Sequence, residues 1–237
     1  MKLLKIVLAL FIASALSGCL GLTRSVVNLE VDTVANPTTH KVVVLEDVTD
    51  KREFRVAAVG EGSGASLTRA FLTGLYTAKP RHGNLPSVET YEDFKNPNIR
   101  ARAIGRYHGG YGNPFGNILL PEGMTVAGIV RTVLQTALRE AGYRVVKKDD
   151  PSSKGAPVYS AEVESYWAWS TGDAIQFQAS IKLGGDWPSD GRRSKFHSSV
   201  SESSLLFTDD SWQSTIKKGN ARLREELKFA LKRIKQQ

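Results

Sequence analysis

One cysteine, four histidines and two methionines are all that this 237-residue chain holds of thiol, imidazole and thioether groups. A single thiol cannot close an intramolecular disulfide. His40, His82, His108 and His197 are scattered, which leaves little material for a metal site. No Gly-Lys-Ser/Thr follows the run Gly60-Glu61-Gly62-Ser63-Gly64, so a phosphate loop is unsupported and the run reads as a turn. Gly62-Ser63-Gly64 is equally short of a nucleophile elbow, because no order of serine, acid and histidine accompanies it. Long apolar runs are lacking as well. The apolar segment Ile6 to Ala15 is too short to cross a bilayer as a stable helix. The chain is therefore expected to work without cofactor or metal, not as an enzyme, and to draw its stability from packing.

What is present begins at the amino terminus. Lys2 and Lys5 form a charged region, Ile6 to Ala15 an apolar one, and Leu16-Ser17-Gly18-Cys19 follows with the only cysteine. This string resembles the lipobox of bacterial lipoproteins, which implies cleavage after Gly18 and a Cys19 carrying S-diacylglycerol and N-palmitoyl groups. Acylation consumes the thiol, whereas plain secretion would carry an odd reactive group into an oxidising compartment. At about 0.8 kcal/mol per buried methylene, three acyl chains would anchor the protein far more firmly than one myristoyl group. Leu20, rather than aspartate, follows the cysteine. By resemblance to Gram-negative sorting, that implies delivery to the outer membrane, facing the periplasm, in preference to the inner membrane.

The formal charge of +8 falls to +6 once residues 1–18 and their two lysines are removed. Such a balance suits nucleic acid elsewhere, but an exported protein does not meet that partner, and charge of this size also serves solubility. Anionic envelope surfaces or an acidic protein are the relevant candidates for the basic carboxy-terminal helix, beside a plain solvated face.

The segmentation predicts an α+β fold, a mainly antiparallel sheet packed by two amphipathic helices with a Gly/Pro-rich insert after the first strands. Residues 1–18 read as signal peptide, 19–40 as membrane tether, and 41–237 as a single periplasmic domain with the insert at about 60–120. Ser25 to Val34 alternates partly through Val27, Leu29 and Val31, so an edge strand is the other reading of the tether. Lys41 to Val48 is a β-branched strand ended by Thr49-Asp50-Lys51-Arg52, and Phe54 to Val59 reads as its continuation or hairpin partner. Between Gly60 and Gly123, eleven glycines and five prolines break any long periodicity, and a short helix is expected at Ser66 to Leu75. Thr125 is placed to cap a helix whose apolar positions run from Val126 to Ala141, with Gly142 ending it. Tyr143 to Val146 follows as a strand.

Three more strands are expected. In the first, Tyr159, Ala161, Val163, Ser165, Trp167 and Trp169 are assigned to one face. The second alternates Ile175, Phe177, Ala179, Ile181 and Leu183 against Gln176, Gln178, Ser180 and Lys182, as a sheet with one wet face demands. The third begins near Ser194 and ends at Ser201 or as far on as Phe207. A last helix from Asp209-Asp210-Ser211 carries the stripe Leu223, Leu227, Ala230, Leu231 and Ile234.

This order, with Val42 to Arg52, Leu120-Pro121-Glu122-Gly123 before the first helix and Leu138-Arg139-Glu140-Ala141-Gly142-Tyr143-Arg144-Val145 closing it, resembles the YajG-type periplasmic lipoproteins. The resemblance covers most of 41–237 in pattern and implies an envelope lipoprotein without established catalytic residues. The insert has no counterpart in it.

Two groups of residues are candidates for binding. Tyr107, Tyr111 and Phe115 lie in the run Tyr107-His108-Gly109-Gly110-Tyr111-Gly112-Asn113-Pro114-Phe115-Gly116, aromatic anchors on adaptable backbone or a long turn whose aromatics tuck inward. Trp167 and Trp169 are either a stacking surface or core. Glu162 and Glu164, two apart on a strand, are a carboxylate pair or a solvated face. The expected function is a non-enzymatic binding or scaffolding domain, held by its lipid anchor and meeting another envelope protein; a small-ligand or glycan-binding module is the alternative.

Overall fold

The computed structural model describes residues 25–56, 87–88, 91–108, 114–171, 173–188, 194–204 and 207–234. Its strands are β1 (Ser25–Val26), β2 (Val42–Asp50), β3 (Arg55–Val56), β4 (Ser87–Val88), β5 (Ala103–His108), β6 (Pro114–Leu119), β7 (Arg144–Val146), β8 (Val158–Thr171), β9 (Ala174–Gly185) and β10 (Lys195–Ser203). Its α-helices are α1 (Tyr91–Lys95), α2 (Pro97–Arg102), α3 (Val126–Glu140) and α4 (Asp209–Ile234). A 3-10 turn covers Pro151–Ser153.

The fold is mixed α+β with a largely antiparallel sheet. β8 is its spine. Along one edge β8 pairs antiparallel with β9 from Tyr159↔Gly185 to Thr171↔Ala174, and β9 passes the ladder on to β10. The other edge of β8 is shared: its first half takes β2 in parallel, its second half β5. β2 continues to β7, and β5 continues through β6 to β1. A separate two-stranded ladder joins β3 and β4.

α3 and α4 cover one face. Thr125 Oγ1 accepts from the Gly128 N–H at 3.0 Å and starts α3. At its end Gly142 takes φ +86°, Gly142 N–H donates to Arg139 O and Tyr143 N–H to Leu138 O, so the left-handed residue turns the last carbonyls inward to partners. The buried stripes Ile129, Val130, Val133, Leu134, Ala137 of α3 and Ile216, Leu223, Leu227, Leu231 of α4 meet Phe177, Ala179 and Ile181 in one core. Each large side chain so buried contributes about 1.5–3 kcal/mol before conformational entropy is counted.

Several expectations are corrected. The tether reading of residues 19–40 does not hold beyond Ser25: β1 pairs with β6, Val27 and Leu29 are core residues, and the chain to Asn36 straps the helices. Thr136 donates to Asp32 O, Arg139 to Val34 O and Asn36 Oδ1, and Val145 N–H to Asn36 Oδ1. Of the segment Phe54 to Val59, Arg55 and Val56 form β3 and pair with β4 rather than with β2, and residues 57–59 lie outside the described residues. The insert boundary at about 120 also moves, because β5 and β6 belong to the main sheet. The helix expected at 66–75 and the run Gly60 to Gly64 lie outside the described residues.

The faces of β8 are the sharpest correction. Between Val163 and Ser165 the register with β9 shifts, so two residues of β8 face one step of β9. A bulge of one residue reverses the alternation beyond it. Tyr159, Ala161 and Val163 point into the core below the bulge and Tyr166 and Ala168 above it, while Trp167 turns to the opposite face. There it packs with Ile99 of α2, Ala103 of β5 and Leu119 of β6, beside Phe54, Phe94 and Trp169.

Candidate functional site

Cys19 and Tyr111 lie outside the described residues. Tyr107 and Phe115 are register partners across β5 and β6, and residues 109–113 between them lie outside the described residues. Trp167 is 1% exposed, with Phe54 edge-on to its ring at 6.3 Å, so it is core rather than a stacking surface. Trp169 is half-buried beside it. Glu162 meets Lys182 of the neighbouring β9 at 3.8 Å, and Glu164 meets Lys195 of β10, one strand further on, at 2.8 Å. The hydrogen bond from Lys195 holds the Glu164 carboxyl below its ordinary value against partial burial.

Under α1 and α2 lies a polar node built on Arg52, whose side chain is fully buried. Its guanidinium pairs with Asp50 at 2.7 Å and donates to the carbonyls of Ala103, Tyr166 and Arg100. A fork of five donors can serve a carboxylate and three carbonyls together, so Arg52 ties β2, α2 and β8 at one point. On the helical face Tyr166 O–H donates to Asn220 Oδ1 at 3.1 Å, and burial pushes its phenol well up. Both arrangements knit the fold; neither opens to solvent.

The open feature is a groove of about 750 Å³ between β10 and α4, lined among others by His197, Ser199, Glu202, Lys218, Arg222 and Glu226. Local sequence builds it. Phe196, Ser198 and Val200 are buried and His197, Ser199 and Ser201 exposed, so β10 is a one-sided strand. Ser198 Oγ–H donates to Gly219 O at 2.7 Å and holds α4 close. Glu202 takes hydrogen bonds from Lys218, from Thr215 at 3.0 Å and from Ser214 at 3.3 Å. Burial raises the Glu202 carboxyl, but these donors and the Lys218 charge together bring it below its usual range.

β10 is also a sheet edge. Ser194 O accepts from Leu183 N–H and Ser204 N–H donates to Asp173 O, so the even-numbered residues of this strand face β9. Lys195, His197, Ser199, Ser201 and Ser203 therefore aim their backbone groups away from β9, where no other strand lies among the described residues. Arg222 Nη1 donates to Ser199 O at 2.6 Å across the groove. Sequence reading missed this edge. Its signal was the strand's serine content: His197, Ser199 and Ser201 alternating with Phe196, Ser198 and Val200 mark a strand that need not bury its outer row.

The basic face of α4 is largely engaged within the molecule. Arg224 reaches Glu140 and Asp32, Lys217 reaches Asp32, and Lys228 reaches Glu140 and Glu225. Among the described residues no cluster of three histidine, cysteine, aspartate or glutamate side chains is arranged as a metal site.

No family model and no curated protein matches the sequence. Among solved structures, the chain aligns with protein XCC0632 from Xanthomonas campestris, of the DUF330 family, at 9% identity and TM-score 0.43, over 90% of this chain and all of that one. It also aligns with an uncharacterized protein at 8% identity and TM-score 0.40, over 87% of this chain and 98% of that one. Likenesses this loose carry no argument about function.

Proposed function

We propose that this chain is a lipid-anchored cell-envelope lipoprotein of the YajG type, a non-enzymatic binding or scaffolding domain on the periplasmic face of the outer membrane. The observation that carries the reading is the spacing between Cys19 and the folded body. Ser25 is already strand and Val27 already core, so five residues, or six Cα steps, separate an acylated Cys19 from the sheet. Fully extended, that reach is about 20 Å. An anchor so short holds the domain beside the headgroups, where confinement raises the effective concentration of any partner in the same membrane. The partner is another envelope protein, met through the Gly/Pro-rich insertion after Val56. The acids Glu164 and Glu202, held low by lysines, suit fixed ion pairs better than proton transfer near neutral pH.

Labelled palmitate and membrane fractionation of wild type and Cys19→Ser test the anchor. Label in the wild type, with the variant unlabelled and released from membranes, is the expected result; an unlabelled wild type sinks the lipoprotein reading.

A further inference from the structure

We infer that the outer edge of β10 is a surface for strand pairing with a second copy of this chain, held closed by Arg222. This goes beyond the anchored-domain reading and does not depend on Cys19. A nine-residue edge strand whose outward row meets no other strand among the described residues is a template for another strand unless something blocks it. β10 carries no proline, and its ladder to β9 runs from Lys195↔Lys182 to Ser203↔Ala174 without a register shift. The outward row His197, Ser199, Ser201 has small side chains at its centre that let a partner backbone approach.

Charge along the groove selects the occupant. Lys218 lies level with Glu202, to which it is bonded, and Arg222 lies level with Ser199. One turn further along α4 come Glu225 and Glu226, which line the other end. An antiparallel two-fold through Ser199 sets Lys218 of one copy opposite Glu226 of the other, twice, so the ends of the groove are self-complementary. The centre opposes them. Arg222 already occupies the Ser199 carbonyl that the central pair needs, and the two-fold would bring two Arg222 guanidinium groups together. One residue thus covers the edge and repels the copy that would fit it.

The test is sedimentation of the full-length protein in one detergent buffer, over a concentration series, with each variant also made on Cys19→Ser so that shared micelles are not read as dimers. Wild type is expected to be monomeric, and Arg222→Ala to self-associate about tenfold more tightly or better. Adding Ser199→Pro should return Arg222→Ala to monomer, because the proline removes an outward N–H and leaves the β9 ladder intact; adding Ser199→Ala should not. Circular dichroism melts confirm that each variant is folded, and Arg222→Gln supplies a second neutral variant should Arg222→Ala fail to fold. Arg222→Ala and Arg222→Gln no more associated than wild type, or association that survives Ser199→Pro, overturns the inference; so does a wild type already paired through this edge.

Discussion

Gly219 of α4 sits directly on the ring of Phe177 in β9: a methyl group at Gly219 would lie 2.0 Å from Phe177 Cδ1 and 2.3 Å from Cε1. Phe177 is fully buried and packs edge-to-face with Tyr166 at 5.0 Å, so the ring has nowhere to retreat. Helix α4 lies this close to β9 because position 219 carries no side chain.

Gly219→Ala should therefore destabilise the protein, although alanine is worth up to about 1 kcal/mol more than glycine in a helix interior. Overpacking of a close-packed core costs about 1–3 kcal/mol, and two contacts far inside van der Waals distance put this site at the upper end. Urea unfolding should show a lower midpoint at unchanged slope; equal or higher stability would mean that α4 shifts freely on the sheet.

Arg52→Met should cost about 3 kcal/mol or more, because it strips the partner from Asp50 and leaves the Ala103 and Tyr166 carbonyls without this donor. Arg52→Lys should rescue only part of the loss, since a point charge cannot reach a carboxylate and three carbonyls at once. Thermal melts of the two variants against wild type decide it, and full rescue by lysine would show that charge alone matters.

Tyr166→Phe keeps the ring against Phe177 and removes only the hydroxyl that reaches Asn220. The loss is expected at about 1–2 kcal/mol, because Asn220 Oδ1 then stays buried without that donor. A double-mutant cycle with Asn220→Ala should return a coupling of the same order. A coupling near zero would assign the cost to packing instead.

Acid should loosen the β10 side. Glu164 and Glu202 have folded-state values below the ordinary glutamate value, so the unfolded chain binds more protons as pH falls. Their stabilisation is complete above the unfolded value of about 4.5 and is lost as pH drops through the depressed folded values. Urea midpoints measured from pH 6 down to pH 3 should fall more steeply for wild type than for Glu164→Gln/Glu202→Gln. Parallel curves would remove these two carboxylates from the acid response.

Much of the fold was legible because local rules agreed with the tertiary answer. Thr125 and Gly142 bracket α3 as their chemistry predicts, and the alternation Ile175, Phe177, Ala179, Ile181, Leu183 is the core face of β9. Where reading failed, the deciding term was non-local. The turn of Trp167 away from the core follows from a one-residue slip against β9, and nothing within β8 alone announces it. Residues 25–36 read either as a tether or as an edge strand because their apolar alternation is only partial. They become a strap only when Asp32 and Asn36 meet α3, α4 and β7.

By itself the sequence determined the periods of the regular stretches: β2, β7, β9, β10 and the helices α3 and α4, with the cap at Thr125 and the stop at Gly142, and that one cysteine follows a short apolar segment. Those are properties of neighbouring residues and of backbone sterics. The tertiary structure alone decided which strand became an edge, which tryptophan was buried, and that Arg222 should meet Ser199. These depend on pairing partners far apart in the chain, and the free energy that selects them appears only when the whole sheet has closed over its helices.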